Sequence, residues 1–223
     1  MLSQTQLLKN KEISDTSIKK MESIIEKLNA LIEQCENDKS RSRDWILETV
    51  KATRAKEEPA LTAELKTIMT MAEVSYAHKK FWENKPLLLS LQKFDEDAAR
   101  DAQIRLCHAS ELGTISLPLL GLTFENARAD RNLPLVYQCW RVGQARSTEA
   151  SFTDSMNLAL NDLELPGQAA SLAAISACVS NRAHGEMIWQ VSVSGQRGDP
   201  VRKLNVARQQ QASSRMVAAN YAI

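Results

Sequence analysis

Residues that could carry out chemistry are few and widely spaced in this chain. Nucleophilic catalysis needs a base beside a Ser or Cys, and the three histidines are His78, His108 and His184. Cys107 precedes His108, but adjacent helical residues point about 100° apart, which argues against a working pair. Cys139 could meet His184 across a sheet, although nothing in the sequence requires it. We expect structural roles for these residues and no enzymatic activity.

Metal and nucleotide sites have no sequence signature either. The densest acidic group, Asp95–Asp97 with Asp101, lacks the interleaved glycine of a calcium loop. The four cysteines lie more than 30 residues apart, so they form neither a CxxC zinc motif nor a disulfide framework. No glycine-rich phosphate-binding motif is present. We therefore expect no cofactor, and free thiols in a reducing compartment.

Two groups of residues have the composition of a nucleic-acid contact, in which cations neutralise phosphates and rings stack on bases. They are Lys79, Lys80, Trp82 and Lys85 in the first group and Arg197, Arg202, Lys203 and Arg208 in the second. In the alternative interpretation the ring closes an apolar stripe and the lysines lie beside it in water. The net charge of +1 gives no general attraction to nucleic acid.

Glycine and charge divide the chain into two parts. All seven glycines lie at or after Gly113, and 13 of the 14 lysines precede it. Because glycine serves tight turns and helix ends, the glycine-free part predicts long helices with little loop. We predict a helical arm or bundle over 1–112 and a small α+β domain over 113–223, with the boundary near 112–114.

The most specific pattern is an apolar seam in the first part, with Ser14 or Asp15 as the expected N-cap. Spacings of 3, 4, 3 and 4 separate its members, which are Ile18, Met21, Ile25, Leu28 and Ile32. This is an a/d repeat, and flanking apolar residues widen it beyond a two-stranded coiled coil. The seam either closes an intramolecular bundle or joins other chains, and we assign it to the interface.

Further helices are predicted along the glycine-free part. Ser40 or Ser42 would cap a second helix, and Pro59 would occupy the first turn of a third. A fourth helix would run from Leu87 to Gly113.

Beyond Gly113 the apolar runs shorten and suggest a sheet covered by helices. Runs 115–124, 133–142 and 186–194 predict strands, the last by its alternating apolar residues. Helices are predicted at about 149–163, 168–182 and 201–217. The dipeptide His184-Gly185 is interpreted as a helix end.

Together these patterns predict a mainly α protein with a small α+β part. The function that they favour is a non-enzymatic structural or assembly protein, which self-associates or docks onto other protein subunits through its N-terminal helices. A component of a virion or a secretion-type machine would fit this description. The alternative is a nucleic-acid-binding accessory protein. With no signal-peptide pattern and no apolar stretch of membrane length, we expect a cytoplasmic location, or an assembly formed there such as a virion.

Overall fold

The computed structural model describes residues 2–38, 40–111, 115–146 and 150–193, and nearly all of them are helical. Two long helices come first, α1 (Gln4–Asn37) and α2 (Arg43–Tyr76). Six shorter ones follow: α3 (Lys79–Glu83), α4 (Lys85–Ser90), α5 (Glu96–Glu111), α6 (Leu117–Ala129), α7 (Leu133–Arg146) and α8 (Ala150–Ala159). A 3-10 turn (Leu160–Asp162) extends α8, and α9 (Gln168–Val193) is the last described helix. The prediction of a mainly helical chain is confirmed for these residues.

The predicted strands are wrong wherever the structure describes them. Runs 115–124 and 133–142 lie largely in α6 and α7, where Ser116 and Asn132 accept hydrogen bonds from the first turn of each helix. Pro118 and Pro134 occupy those first turns, where a missing N–H costs nothing, so they start helices instead of ending strands. Residues 186–193 belong to α9. Short apolar runs do not distinguish strand from helix by period alone.

Several predicted helix ends also need correction. Ser3, not Ser14 or Asp15, caps α1, in a reciprocal pair of hydrogen bonds with Gln6. Ser42, one of the two caps predicted, caps α2. Pro59 lies inside α2, on an exposed position, and the helix continues through it.

The predicted fourth helix is two helices. It breaks between α4 and α5, where the Asp95 side chain accepts hydrogen bonds from the backbone N–H groups of Asp97 and Ala98. This cap begins α5. His184 and Gly185, expected at a helix end, lie within α9.

The described residues group into two units by their internal contacts. Residues 2–78 and 170–193 form the three-helix unit, which contains α1, α2 and most of α9. Residues 79–169 form the second unit. The predicted boundary at 112–114 lies outside the described residues and stays a prediction, as does the predicted helix at 201–217.

In the three-helix unit, α1 and α2 form an antiparallel hairpin with α9 beside it. The buried core comprises Ile18, Met21, Ile25, Leu28, Leu61, Ile68 and Ile188. Along α9, Cys178 lies near Ser75 and Trp189 donates a hydrogen bond to Thr62. Residue numbers therefore rise along α9 while they fall along the α2 residues that it contacts, so the two helices are antiparallel.

The second unit places two glycines where other helices approach closely. A Cβ atom on Gly143 of α7 would lie 2.6 Å from the Sδ atom of Met156, whereas one on Gly121 of α6 would lie 3.5 Å from the ring of Phe152. Met156 is itself buried, so its side chain has little room to move away. An added methyl group should therefore lower the free energy of unfolding at Gly143 and raise it at Gly121.

We therefore expect Gly143→Ala to lower the free energy of unfolding by about 1–3 kcal/mol through overpacking. Gly121→Ala should raise it by about 0.5–1 kcal/mol, because alanine favours the helix and its methyl group makes ordinary contacts. Urea denaturation of the two variants and the wild type measures both changes. Shifts of the same sign would contradict the packing described here.

Candidate interaction surface

Four of the five predicted seam residues lie in the core of the three-helix unit. Ile18, Met21, Ile25 and Leu28 are buried against α2 and α9, while Ile32 is half-buried. In this structure the seam thus closes on helices of its own chain. The role of these four residues in joining chains stays a prediction, and it would require the unit to open.

The side of α9 that packs on α1 and α2 is unusually polar. Its buried positions, which we call the α9 stripe, recur every three or four residues between Ser171 and Ser192. Its polar members are Ser171, Asn181, His184 and Ser192, and Ala174, Cys178 and Gly185 are small. Ile175 and Ile188 are the buried aliphatic side chains of this stripe that are larger than alanine. A helix held by such residues depends on specific contacts more than on apolar area.

Hydrogen bonds join the α9 stripe to α1. The Asn181 Nδ2 atom donates to Ser14 Oγ at 3.1 Å and to Asp15 Oδ1 at 2.7 Å. One helical turn farther along α9, the imidazole of His184 lies 3.2 Å from the Glu22 carboxylate and is 5% exposed. Buried polar groups of this kind need such partners, and the pairs fix the register of α9 on α1.

Gly185 brings α9 close to the hairpin. A Cβ atom there would lie 3.2 Å from Ile68 Cδ1 and 3.4 Å from Leu65 Cδ1. The sequence does not reveal this contact, because a His-Gly dipeptide is also typical of a helix end. The signal that could have found the α9 stripe is the three- and four-residue spacing of its small and polar members.

The hairpin continues past the contacts of α9. We call residues 29–38 of α1 and 43–60 of α2 the distal hairpin. Trp189 of α9 contacts Thr62 of α2, and from Thr62 back to Arg43 α2 is about 28 Å long at 1.5 Å per residue. The four described residues of α9 after Trp189 run beside about 6 Å of that length. About 20 Å of the hairpin therefore lies beyond the described part of α9.

Apolar side chains remain accessible on the distal hairpin. Trp45 is 40% exposed and Leu47 is 61% exposed. Leu31 and Ile32 are half-buried, and the Arg41 guanidinium lies 4.7 Å from the centre of the Trp45 ring. The described part of α9 ends before this stretch of the hairpin, so this surface can accept another protein.

The first predicted nucleic-acid group is mostly occupied by contacts within the second unit. Trp82 is buried, and its backbone carbonyl accepts a hydrogen bond from the side chain of Gln168. Lys79 forms an ion pair with Glu83 at 3.5 Å, and Lys80 is exposed. A buried ring does not stack on a base, so any contact would depend on the lysines.

Lys85 supports the turn that follows α8. Its Nζ atom donates hydrogen bonds to the carbonyl oxygens of Asn161 and Leu163. Burial lowers the pKa of Lys85, against the opposing effect of the nearby Asp162 and Glu164 carboxylates. The Lys85 ammonium group thus offsets the partial negative charge of the carbonyl oxygens at this helix end. The second predicted group, Arg197, Arg202, Lys203 and Arg208, lies outside the described residues.

Cys35, Cys139 and Cys178 are buried free cysteines. Burial raises the pKa of Cys139 to about 12, and burial is also the largest cause of the raised pKa of Cys178. Cys139 belongs to the second unit. His184 belongs to the three-helix unit, where its imidazole contacts the Glu22 carboxylate. Within the described ranges no group of three or more His, Cys, Asp or Glu side chains could hold a metal ion.

We expect Cys139 and Cys178 to react with a thiol reagent only after local or global unfolding, at least on the order of a hundredfold more slowly than in urea.

The pH dependence of the free energy of unfolding has a definite sign. Above the ordinary thiol pKa of 9.0 the unfolded chain loses a proton that folded Cys139 retains up to about 12. The free energy of unfolding should therefore fall as pH rises through this window. Cys139→Ala should reduce that slope in urea titrations, and an unchanged slope would contradict the prediction.

None of the helices described has the length and apolar character needed to cross a membrane. No protein-family model, no curated protein and no solved structure matches this chain.

Proposed function

We propose that this chain is a non-enzymatic assembly protein that joins copies of itself, or other protein subunits, through its N-terminal helices. The observation that carries the proposal is the distal hairpin. It extends for about 20 Å beyond the described part of α9 and presents Trp45 and Leu47 to solvent. A helical hairpin with accessible apolar side chains reaches its lowest free energy when another helical surface covers them.

The proposed contact surface differs from the seam of Ile18 to Leu28. Those residues already stabilise the three-helix unit, whereas Ile32, at the far end of the seam, lies in the distal hairpin and is half-buried. Trp45 is the natural anchor, because tryptophan is enriched among the residues that dominate binding free energy. The adjacent Arg41 adds a cation beside the same ring.

The test is the solution mass of the chain by light scattering over a hundredfold range of concentration. We expect a defined oligomer that Leu47→Glu dissociates, with at least a tenfold loss of affinity, because a carboxylate buried at an interface loses its hydration. Leu158→Glu is the matched control, since Leu158 of the second unit is 69% exposed. It should leave the mass unchanged.

Two results would contradict self-association through the distal hairpin. One is a monomer at every concentration, and the other is an equal effect of Leu47→Glu and Leu158→Glu. With a monomer, capture experiments with the wild type and Leu47→Glu would test for a foreign subunit. A partner retained equally by both would end the proposal.

A further inference from the structure

The α1–α2 contact is more extensive than the contact of α9 with these two helices. The backbones of α1 and α2 approach each other closely along their length, whereas α9 comes equally near to them at few positions. The α9 stripe is also poor in large apolar side chains. Within the described part of the chain, the buried Ser171 hydroxyl has no hydrogen-bond partner. Because local stability increases with buried apolar contact, detaching α9 from the hairpin should cost less free energy than separating α1 from α2.

Detaching α9 would leave an apolar groove on the hairpin. Ile18, Leu65 and Ile68 lie beside Gly185, and each would gain exposure. Such a groove is covered again either by the same α9 or by an equivalent helix at sufficient concentration. The polar contacts select the occupant, because a helix must carry Asn and His at the positions of Asn181 and His184 to repeat the hydrogen bonds to Ser14, Asp15 and Glu22.

We propose that two copies of this chain exchange α9, so that the α9 of each copy occupies the α1–α2 groove of the other. A second copy is the occupant that reproduces every contact of the closed unit, including Asn181 with Ser14 and His184 with Glu22. Such domain swapping forms a dimer at low cost in free energy because it needs no new complementary surface. It goes beyond the proposed function, since the chains would meet in the α1–α2 groove beside Gly185 and not at the distal hairpin.

The turn before α9 contains a residue that can serve as the hinge of this exchange. It enters α9 through Pro166 and Gly167, and Gly167 has a φ of 76°. Glycine populates both signs of φ without Cβ strain, so a rotation there redirects the helix without distorting its interior. The rotation breaks one contact of the second unit, the hydrogen bond from the Gln168 side chain to the Trp82 carbonyl.

The variant S75C tests the exchange directly, because the Ser75 hydroxyl lies 3.8 Å from the Cys178 sulfur. The introduced thiol is therefore within reach of Cys178, and oxidised glutathione forms the bridge slowly, through the local openings that expose the two thiols. In the closed unit the bridge is intramolecular and the product is a monomer. In the exchanged dimer the same bridge links two chains, which migrate as a dimer in a non-reducing gel.

We expect bridged monomer when S75C is oxidised at micromolar concentration. The bridged dimer should rise in proportion when the protein is equilibrated at a hundredfold higher concentration before oxidation. The double variant S75C/C178A, treated identically, should give neither product. Protein bridged as a monomer and then concentrated should lose α9-dependent dimerisation, measured by light scattering.

An intramolecular bridge at every concentration would overturn the exchange, as would a bridged monomer that still forms the wild-type oligomer. In the latter case, dissociation by Leu47→Glu would still support the proposed function, so the two failures differ. Should S75C lose its helical circular dichroism, the pair S14C/N181C gives the same test. It links α9 to α1, where Asn181 lies 3.1 Å from Ser14.

Discussion

Replacing Ile25 and Leu28 together with aspartate is expected to unfold the three-helix unit. Both side chains are buried in its core. Two carboxylates there would face apolar side chains without partners, and each would cost several kcal/mol. Their combined effect of more than about 5 kcal/mol approaches the whole stability of an ordinary domain. Far-UV circular dichroism and a urea titration should show a large loss of helix and of cooperative unfolding.

The matched control places the same two charges on the exposed side of α1. Ser23→Asp with Ala30→Asp adds two carboxylates at exposed positions in the same part of the helix. It should change the free energy of unfolding by about 1 kcal/mol or less. If the Ile25 and Leu28 double variant instead kept its helix and stability but lost solution mass, the seam would be an intermolecular interface.

Gly185→Leu should displace α9 from the hairpin. The leucine side chain would project into Ile68 and Leu65, whose methyl carbons lie 3.2 and 3.4 Å from the site of its Cβ atom. Leucine favours a helix over glycine by about 1 kcal/mol, yet overpacking at this contact should outweigh it and destabilise the unit by about 3 kcal/mol. Hydrogen exchange should accelerate in α9 more than in the middle of α1.

Ala183→Leu provides the comparison for that experiment. Ala183 is an exposed residue of the same helix, two positions away, so the same side chain should be tolerated within about 0.5 kcal/mol. Equal hydrogen exchange in the two leucine variants would show that Gly185 is not needed for the packing of α9.

These experiments address the same property of the molecule, the uneven attachment of its helices. The α1–α2 pair has apolar side chains on both helices, including Met21 and Ile68. The α9 stripe is completed by hydrogen bonds from Asn181 and by the absence of a side chain at Gly185. A unit built in this way combines a firm hairpin with a third helix that specific contacts hold in place. The proposed exchange of α9 follows from that difference.

The sequence by itself determined the helical character of the first part and the seam of α1. The absence of glycine before Gly113 predicted long helices, and the spacing of Ile18, Met21, Ile25 and Leu28 identified the side that is buried. These features are local, because turn residues and the helical period follow from a residue's own neighbours. The Ser42 cap was found for the same reason.

Tertiary structure alone decided how α9 is formed and what covers the seam. The alternation of Met187, Trp189 and Val191 resembles a strand, yet burial at His184, Ile188 and Ser192 follows the helical period. A serine or histidine becomes an interior residue only when a distant helix supplies its partner, as Glu22 does for His184. No pattern within α9 contains that information, because the contact joins residues more than 160 positions apart.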